Sequence, residues 1–250
     1  MASGPSSQPE LSVVFPAFNE APNLRRFPDE VFPVLDGLGR SYEIVIVDDG
    51  SADDTAAVAA ALRPPARLVR HERNQGLGAA LRTGFREAKG TLVVTMDTDL
   101  TFSPTLVPKM LERFDQGDVD VVSGSPRLAG YASDIPSYRI VVSRLSTLVY
   151  SAILGTHVTS VSPILRLYRR ADLAALHLHA IGFDINVEIL YGLLRHGKRL
   201  AEIPAPLTQR IHGESSLDYY REMRRHLRLV GRMLGWRLGM SDQHPPPAAS

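Results

Sequence analysis

From residue 11 onward, short apolar runs alternate with stretches in which apolar positions recur every three or four residues. Leu11 to Phe18 (LSVVFPAF) and Tyr42 to Ser51 (YEIVIVDDGS) are nearly unbroken apolar runs, as expected of strands buried on both faces. ARLVRHE, TLVVTMD and VDVVSGS supply three more strands. Between them lie helical patterns: APNLRRFPDEVFPVLDGLG, interrupted and ending at Gly37 to Gly39; ADDTAAVAAALR, with Asp53 or Asp54 near its start; GLGAALRTGFREAKG; and SPTLVPKMLERFDQG. This alternation predicts one α/β, Rossmann-like domain, with helices on both faces of a mostly parallel central sheet and further helices at its C-terminal end.

The expected boundaries are a disordered leader over 1–10, the catalytic domain over 11–217, an amphipathic helix over 218–240 and a disordered, Pro-rich tail over 241–250. MASGPSSQPE has neither a basic start nor an apolar core, so it reads as a leader and not as a signal peptide. No window approaches 18 uninterrupted apolar residues, and no membrane span is expected.

Ligands of open parallel sheets bind beyond the carboxyl ends of the strands, where strand order reverses. Acidic and amide residues gather at those ends: Asn19 and Glu20, Asp48 and Asp49, and Asp97 and Asp99 in TLVVTMDTDLTFSP. In an extended chain Asp97 and Asp99 project to one face, roughly 7 Å apart. Such a pair suits a hard divalent cation that fills its shell with water and phosphate oxygens, which makes a diphosphate the natural third party. The alternative is a solvated turn before Pro104. RNQGLGAA offers Arg73 and free amide groups near Gly76 and Gly78 for phosphate oxygens, or else simply a tight turn into a helix.

Composition narrows the partners. Lys and Arg total 28 against 27 for Asp and Glu, so no general basic surface for nucleic acid is expected. The absence of Cys excludes disulfides and thiolate chemistry and fits a cytoplasmic location. Eight His residues are scattered without metal-binding spacing.

FPAFNE, VIVDDGSADDT, RNQGLGAALRTGFREAKG, MDTDLTFSP and QRIHGESSL, in order from Leu11 to about Leu217, resemble the family-2 glycosyltransferases of GT-A fold. The resemblance is to the dolichol- or polyprenyl-phosphate mannose and glucose synthases. It implies a nucleotide-sugar donor, GDP-mannose or a UDP-hexose, a Mg²⁺ or Mn²⁺ cofactor, and inversion at the anomeric carbon. It further implies that Pro16, Phe18 and Glu20 flank the nucleoside, with Val47 and Asp49 at the base and ribose. Arg73 joins them on the donor. Asp97 contacts the ribose, or the metal through water, Asp99 is the direct metal ligand, and Arg210 reaches the diphosphate.

The acceptor half departs from the family pattern. SGSPR puts Pro126 at the family's Arg position and moves Arg127 one along. In VTSVSPILR, Ser160, Pro163 and Ile164 replace Asp, Ser and Gly, whereas Arg166 persists. Arg127, Ser162 and Arg166 are the expected acceptor contacts. A prenyl phosphate attacks without a general base, but a hydroxyl acceptor, the alternative, needs one. Asp134 and Asp184, the latter four residues before Glu188, are the candidates. Residues 137–156 and the Arg-rich LDYYREMRRHLRLVGRMLGWRLGM combine basic and apolar positions, which predicts peripheral contact with the inner face of the cell membrane. A helix packed on the domain is the ordinary alternative. A catalytically idle nucleotide-binding protein is disfavoured by the intact acid pair, and nothing in the sequence speaks to oligomeric state.

Overall fold

The computed structural model describes residues 8–130, 147–208, 211 and 219–237. The sheet has seven strands: β1 (Leu11–Ala17), β2 (Tyr42–Asp48), β3 (Ala66–Arg70), β4 (Leu92–Thr95), β5 (Val121–Ser125), β6 (Arg166–Arg169) and β7 (Leu200–Pro204). Their spatial order is β3-β2-β1-β4-β6-β5-β7. The chain moves outward from β1 through β2 to β3 and then returns to β4 on the other flank of β1, so strand order reverses between β1 and β4. All neighbours in this half are parallel. The expected mostly parallel sheet is present, with one exception: β6 runs antiparallel to both β4 and β5.

The interrupted first helix is three short ones, α1 (Ala21–Leu24), α2 (Phe27–Glu30) and α3 (Phe32–Asp36), each with a proline in its first two positions. Proline fits there because its missing N–H has no partner within the first helical turn. Then follow α4 (Thr55–Ala61), α5 (Leu77–Glu87), α6 (Leu106–Asp115), α7 (Pro126–Ala129), helical residues 147–154 (α8), α9 (Arg170–Ala174), α10 (Ile185–Arg195) and α11 (Tyr219–Arg237).

Alternate residues of β1 and β2 serve opposite faces of the sheet. Val13, Phe15, Ile44 and Ile46 pack under Leu24, Phe27, Phe32 and the α6 residues Met110 and Phe114. Val14, Val45 and Val47 pack under Leu81 of α5 and Ile189 of α10. A third apolar cluster joins Tyr150 and Ile153 of α8 to Tyr191 of α10 and to Leu229, Met233 and Trp236 of α11.

At the N-terminal edge of the sheet, away from the switch-point crevice, two buried polar residues hold the first strands together. Ser12 Oγ donates to Glu43 Oε1 at 2.6 Å and accepts from the Gly90 amide at 2.8 Å. Glu43 also accepts from the Lys89 amide at 2.6 Å and, through Oε2, from Arg67 Nε at 2.9 Å. Burial raises the Glu43 pKa, but the Ser12, Lys89 and Arg67 donors together outweigh it and hold the carboxyl below its ordinary 4.5. A carboxylate depressed by folding stabilises above its unfolded pKa, and that contribution is lost as pH falls through the folded value. Glu43→Gln keeps the shape, removes the charge and leaves the donors poorly served, at a cost of about 1–3 kcal/mol. In a domain of this size the melting temperature should fall by about 2–10 °C at pH 7, and the gap to the parent should narrow in acid below about pH 4.5, as read by thermal melts across pH.

Candidate functional site

Three turns at the carboxyl ends of β1, β2 and β3 are laced together before any ligand is considered. Asn19, in the left-handed region at φ 56°, accepts the Ala52 amide on Oδ1 at 2.9 Å, and its own amide donates to Ser51 Oγ at 2.8 Å. The Glu20 amide donates to Thr55 Oγ1 at 2.8 Å, and Asp53 accepts the amides of Ala21 and Thr55. Asp48 is fully buried; Oδ1 accepts the Ser51 amide at 2.9 Å and Oδ2 lies 3.1 Å from Arg70 Nε. Asp49 reaches across to the β3–α5 loop. Its Oδ1 receives His71 Nδ1 at 2.7 Å and the Gln75 amide at 2.9 Å, while Oδ2 accepts the Gly76 amide at 2.8 Å. Thr83 Oγ1 closes the chain of bonds, 3.0 Å from His71 Nε2.

Beyond β4, buried Thr98 donates to the Pro16 carbonyl at 2.8 Å, which fixes the strand end beside β1. The carboxylates on either side of it, Asp97 and Asp99, are partly exposed at the crevice. Asp99 Oδ1 accepts the Thr101 amide at 3.0 Å, and the Asp99 carbonyl accepts Arg26 Nη1 at 3.1 Å. The turn passes through Leu100 at φ 57° and is joined from outside by Thr208, whose amide donates to the Thr101 carbonyl at 2.9 Å. Among the described residues no group of three or more His, Asp or Glu is gathered to hold a metal by itself. Two carboxylates at a crevice instead fit an ion that draws its other ligands from water and phosphate.

Several expectations are corrected. Val47 is fully buried among the apolar residues under α5 and does not face a nucleoside. The Asp49 carboxylate is engaged by His71 and two amides, so it braces the β3–α5 loop and does not stand open to a base or ribose. The amides near Gly76 and Gly78 are not free for phosphate: one serves Asp49 and the other donates to the Ile181 carbonyl at 3.0 Å. A Cβ on Gly78 would lie 2.0 Å from the Ala180 carbonyl oxygen, so these glycines exist for close backbone approach. Arg166 is fully buried, its guanidinium bound to Ser123 Oγ and the carbonyls of Val161 and Asn186; it is a strut inside the fold, not an acceptor contact. The base candidate on this segment, Asp184, is not presented to solvent, and neither is Glu188 four residues on. Glu188 is fully buried with Oε2 accepting the His179 and Ala180 amides at 2.8 Å, and buried Asp184 accepts the Gly182 amide at 3.0 Å.

The remaining candidates lie along the crevice edge. Phe18 is 40% exposed beyond β1, with Pro16 and Glu20 partly buried on either side. Arg73 is exposed on the loop that Asp49 braces. Arg127 is exposed on α7, whose N-cap Ser125 also meets Thr159 at 2.6 Å, and Ser162 is exposed before β6. Asp134 and Arg210 lie outside the described residues. Sequence reasoning missed Arg26, which grips the Asp99 turn, together with His71, Thr83 and Glu202. Glu202 takes the Thr159 amide and hydroxyl and the Ser160 amide at 2.7, 2.8 and 3.1 Å. None of these has a local signature, because each partner is distant in sequence.

A family model described as glycosyl transferase family 2 matches residues 12–176. A dolichol-phosphate mannosyltransferase of Pyrococcus furiosus is 32% identical over 234 residues, spanning 91% of this chain and 64% of that protein. An undecaprenyl-phosphate 4-deoxy-4-formamido-L-arabinose transferase of Edwardsiella ictaluri is 36% identical over 209 residues, spanning 82% and 62%. The chain thus covers less than two thirds of the length of these relatives. Among solved structures, glucosyl-3-phosphoglycerate synthase of Mycobacterium tuberculosis in complex with Mn²⁺ and UDP-glucose superposes with a TM-score of 0.67 at 25% identity, covering 95% of this chain and 81% of that one. The same enzyme with Mn²⁺, UDP and glucosyl-3-phosphoglycerate gives 0.69 at 23% identity, covering 95% and 82%. The fold is the expected GT-A architecture, and with the family model matching most of its length the chain belongs to glycosyl transferase family 2.

Proposed function

We propose that this chain transfers a hexose from a nucleoside-diphosphate sugar to a polyprenyl or dolichyl phosphate, with inversion, in the crevice beyond β1, β2 and β4. The observation that carries the reading is the partly exposed Asp97 and Asp99 pair at the point where strand order reverses. The lipid-phosphate acceptors named for the relatives at 32% and 36% identity support the acceptor class. The Mn²⁺ or Mg²⁺ and UDP held by the solved neighbours are in keeping with the donor and the metal.

A Mg²⁺ or Mn²⁺ ion held by Asp99, with Asp97 beside it, would supply Lewis-acid neutralisation of the departing diphosphate. The remaining work falls to the chain itself. Phe18 offers an exposed ring at the end of β1 for the nucleobase, and Arg73 adds positive charge on a loop kept in place by Asp49. Arg26 holds the Asp99 carbonyl and so fixes the turn that carries the carboxylate. In the transfer an acceptor phosphate oxygen bonds to the anomeric carbon while that carbon's bond to the diphosphate oxygen breaks, with no proton to remove. This agrees with the engagement of Asp184 and Glu188 by backbone amides. Exposed Arg127 and Ser162 are suited to meet the acceptor phosphate.

Among the described residues no helix is long and apolar enough to cross a membrane. In this reading the acceptor is met at the lipid surface. Leu148 and Val149 of α8 and Met223, Leu227 and Leu234 of α11 are exposed, while Leu229, Met233 and Trp236 anchor the other side of α11 to the domain.

Two outcomes test the reading. Asp99→Ala should lower turnover by about three orders of magnitude or more with an unchanged melting temperature, because a crevice carboxylate serves chemistry and not packing. The assay follows label from GDP- and UDP-sugars into an organic-extractable prenyl product; label recovered only in water-soluble product would show a hydroxyl acceptor instead. His71→Ala, which removes one brace from Asp49 without touching the crevice acids, should raise KM for the donor about tenfold with a smaller change in kcat, as steady-state kinetics would show.

A further inference from the structure

Arg26, at the head of α2, is engaged along both edges of its guanidinium. Nη1 donates to the Asp99 carbonyl at 3.1 Å and to Asn23 Oδ1 at 3.3 Å, while Nε and Nη2 donate to the two carboxylate oxygens of Glu30 at 2.7 and 2.9 Å. Asn23 is itself buried and donates to Glu20 Oε2, so α1 and α2 together hold the guanidinium in place. The arrangement suits arginine, whose planar fork serves separate acceptors at once, and not lysine, whose ammonium is a compact point charge on a flexible stem.

That placement creates a conflict at the crevice. Arg26 bonds to the backbone of the same residue whose carboxylate is read as the ligand of a divalent cation, and a positive charge beside that residue opposes the cation. Guanidinium and carboxylate are separated by no more than one residue and a hydrogen bond, well inside the Debye length of roughly 30 Å at 0.01 M salt. The Arg26 side chain is only 15% exposed, so water screens its charge poorly. Glu30 resolves the conflict. Its pairing with Arg26 spans four residues and lies partly in solvent, a kind of contact that adds little to stability, yet it is bidentate, the geometry that matches a guanidinium most fully.

We propose that Glu30 masks the charge of Arg26, so that the guanidinium can hold the Asp99 turn without repelling the divalent cation that the turn binds. The inference rests on the reading of Asp99 as a metal ligand. It gives an acid that is not itself a ligand a share in metal affinity, exerted through Arg26 and by charge alone.

The full chain is titrated with Mn²⁺ alone at 0.01 M and at 1 M salt, with the free ion followed by its electron paramagnetic resonance signal. Glu30→Gln keeps the size of the side chain and an acceptor for Arg26 but unmasks the guanidinium. It should raise the Mn²⁺ dissociation constant about three- to tenfold over the parent at 0.01 M salt. At 1 M, where the Debye length is ~3 Å, the two should agree within about twofold. The double variant Arg26→Gln, Glu30→Gln removes both charges, so the ratio of its dissociation constant to the parent's should be the same at both salts. Melting temperatures confirm that each variant is folded, and because the double variant reads the same charge from the opposite side, it keeps the test valid should Glu30→Gln alone not fold. If Glu30→Gln binds Mn²⁺ as the parent does at low salt, if its deficit persists unchanged at 1 M, or if the double variant's ratio shifts with salt, the mask is overturned while the metal reading stands. Asp99→Ala separates the two: Mn²⁺ held by that variant as by the parent, or no binding by the parent, overturns the metal reading and the mask with it.

Discussion

The reversal of strand order between β1 and β4 sets the constraint that the rest of the molecule answers. Parallel strands end there side by side, and every turn that leaves the sheet carries amides that need acceptors once they are sheltered from water. Short acidic and amide side chains meet that need: Asp48 takes Ser51, Asp49 takes Gln75 and Gly76, Asn19 takes Ala52, and Asp53 takes Ala21 and Thr55. A buried carboxylate is costly alone, but charge-assisted bonds to two or three donors offset its desolvation. Most of the acid at this edge is therefore structural. It holds the loops in place around the turn that carries Asp97 and Asp99.

The second half of the sheet solves a similar problem with whole charged side chains. Arg166 opens β6 and carries the carbonyls of Val161 and Asn186, while Glu202 of β7 carries the amides of Thr159 and Ser160. Together they hold residues 158–162 from both sides. Arg166 is fully buried, so loss of these acceptors would leave its charge unserved inside the fold. This explains how Pro163 and Ile164 can stand where the family pattern has Ser and Gly. Both are buried in the apolar interior, and the path of the segment is set by Arg166 and Glu202 and not by the side chains at 163 and 164.

Much of this was legible in the sequence where the signal is local. The apolar runs of β1, β2 and β4 marked strands because both faces are covered, and APNLRRFPDEVFPVLDGLG was expected as one interrupted helix where the chain forms three short ones. Asp97 and Asp99 were expected on one face of an extended chain, but β4 ends at Thr95 and the chain turns through Thr98 and Asp99, so the two carboxylates are placed by a turn and not by strand alternation. β6 escaped notice: four residues, RLYR, bounded by arginines, show no alternation, and the strand exists because Arg166 is buried by contacts that no pattern displays. Asp49 was misread for a related reason. Its carboxylate is occupied by His71, Gln75 and Gly76, more than twenty residues away, and a strand-end acid looks the same in sequence whether it faces a ligand or a loop.

The glycines of RNQGLGAA illustrate how a motif can be recognised and its cause mistaken. Phosphate binding and close packing both require a residue without a side chain, so the sequence cannot separate them. The separation lies a hundred residues further on, where the carbonyls of Ala180 and Ile181 approach so closely that no Cβ fits at Gly76 or Gly78. That contact turns residues 179–182 into a thin wall. One side supports the loop that Asp49 braces and Arg73 occupies; the other side faces α11 across a cavity lined by Arg225, Arg228 and Arg232. Glu188 fixes the wall from beneath through two amides, and so a single buried carboxylate on α10 governs the position of both surfaces. Packed backbone of this kind has little compliance, because interiors at crystal-like density relay displacements and do not absorb them. The Arg73 loop and the cavity are therefore held in a fixed relation by the same backbone.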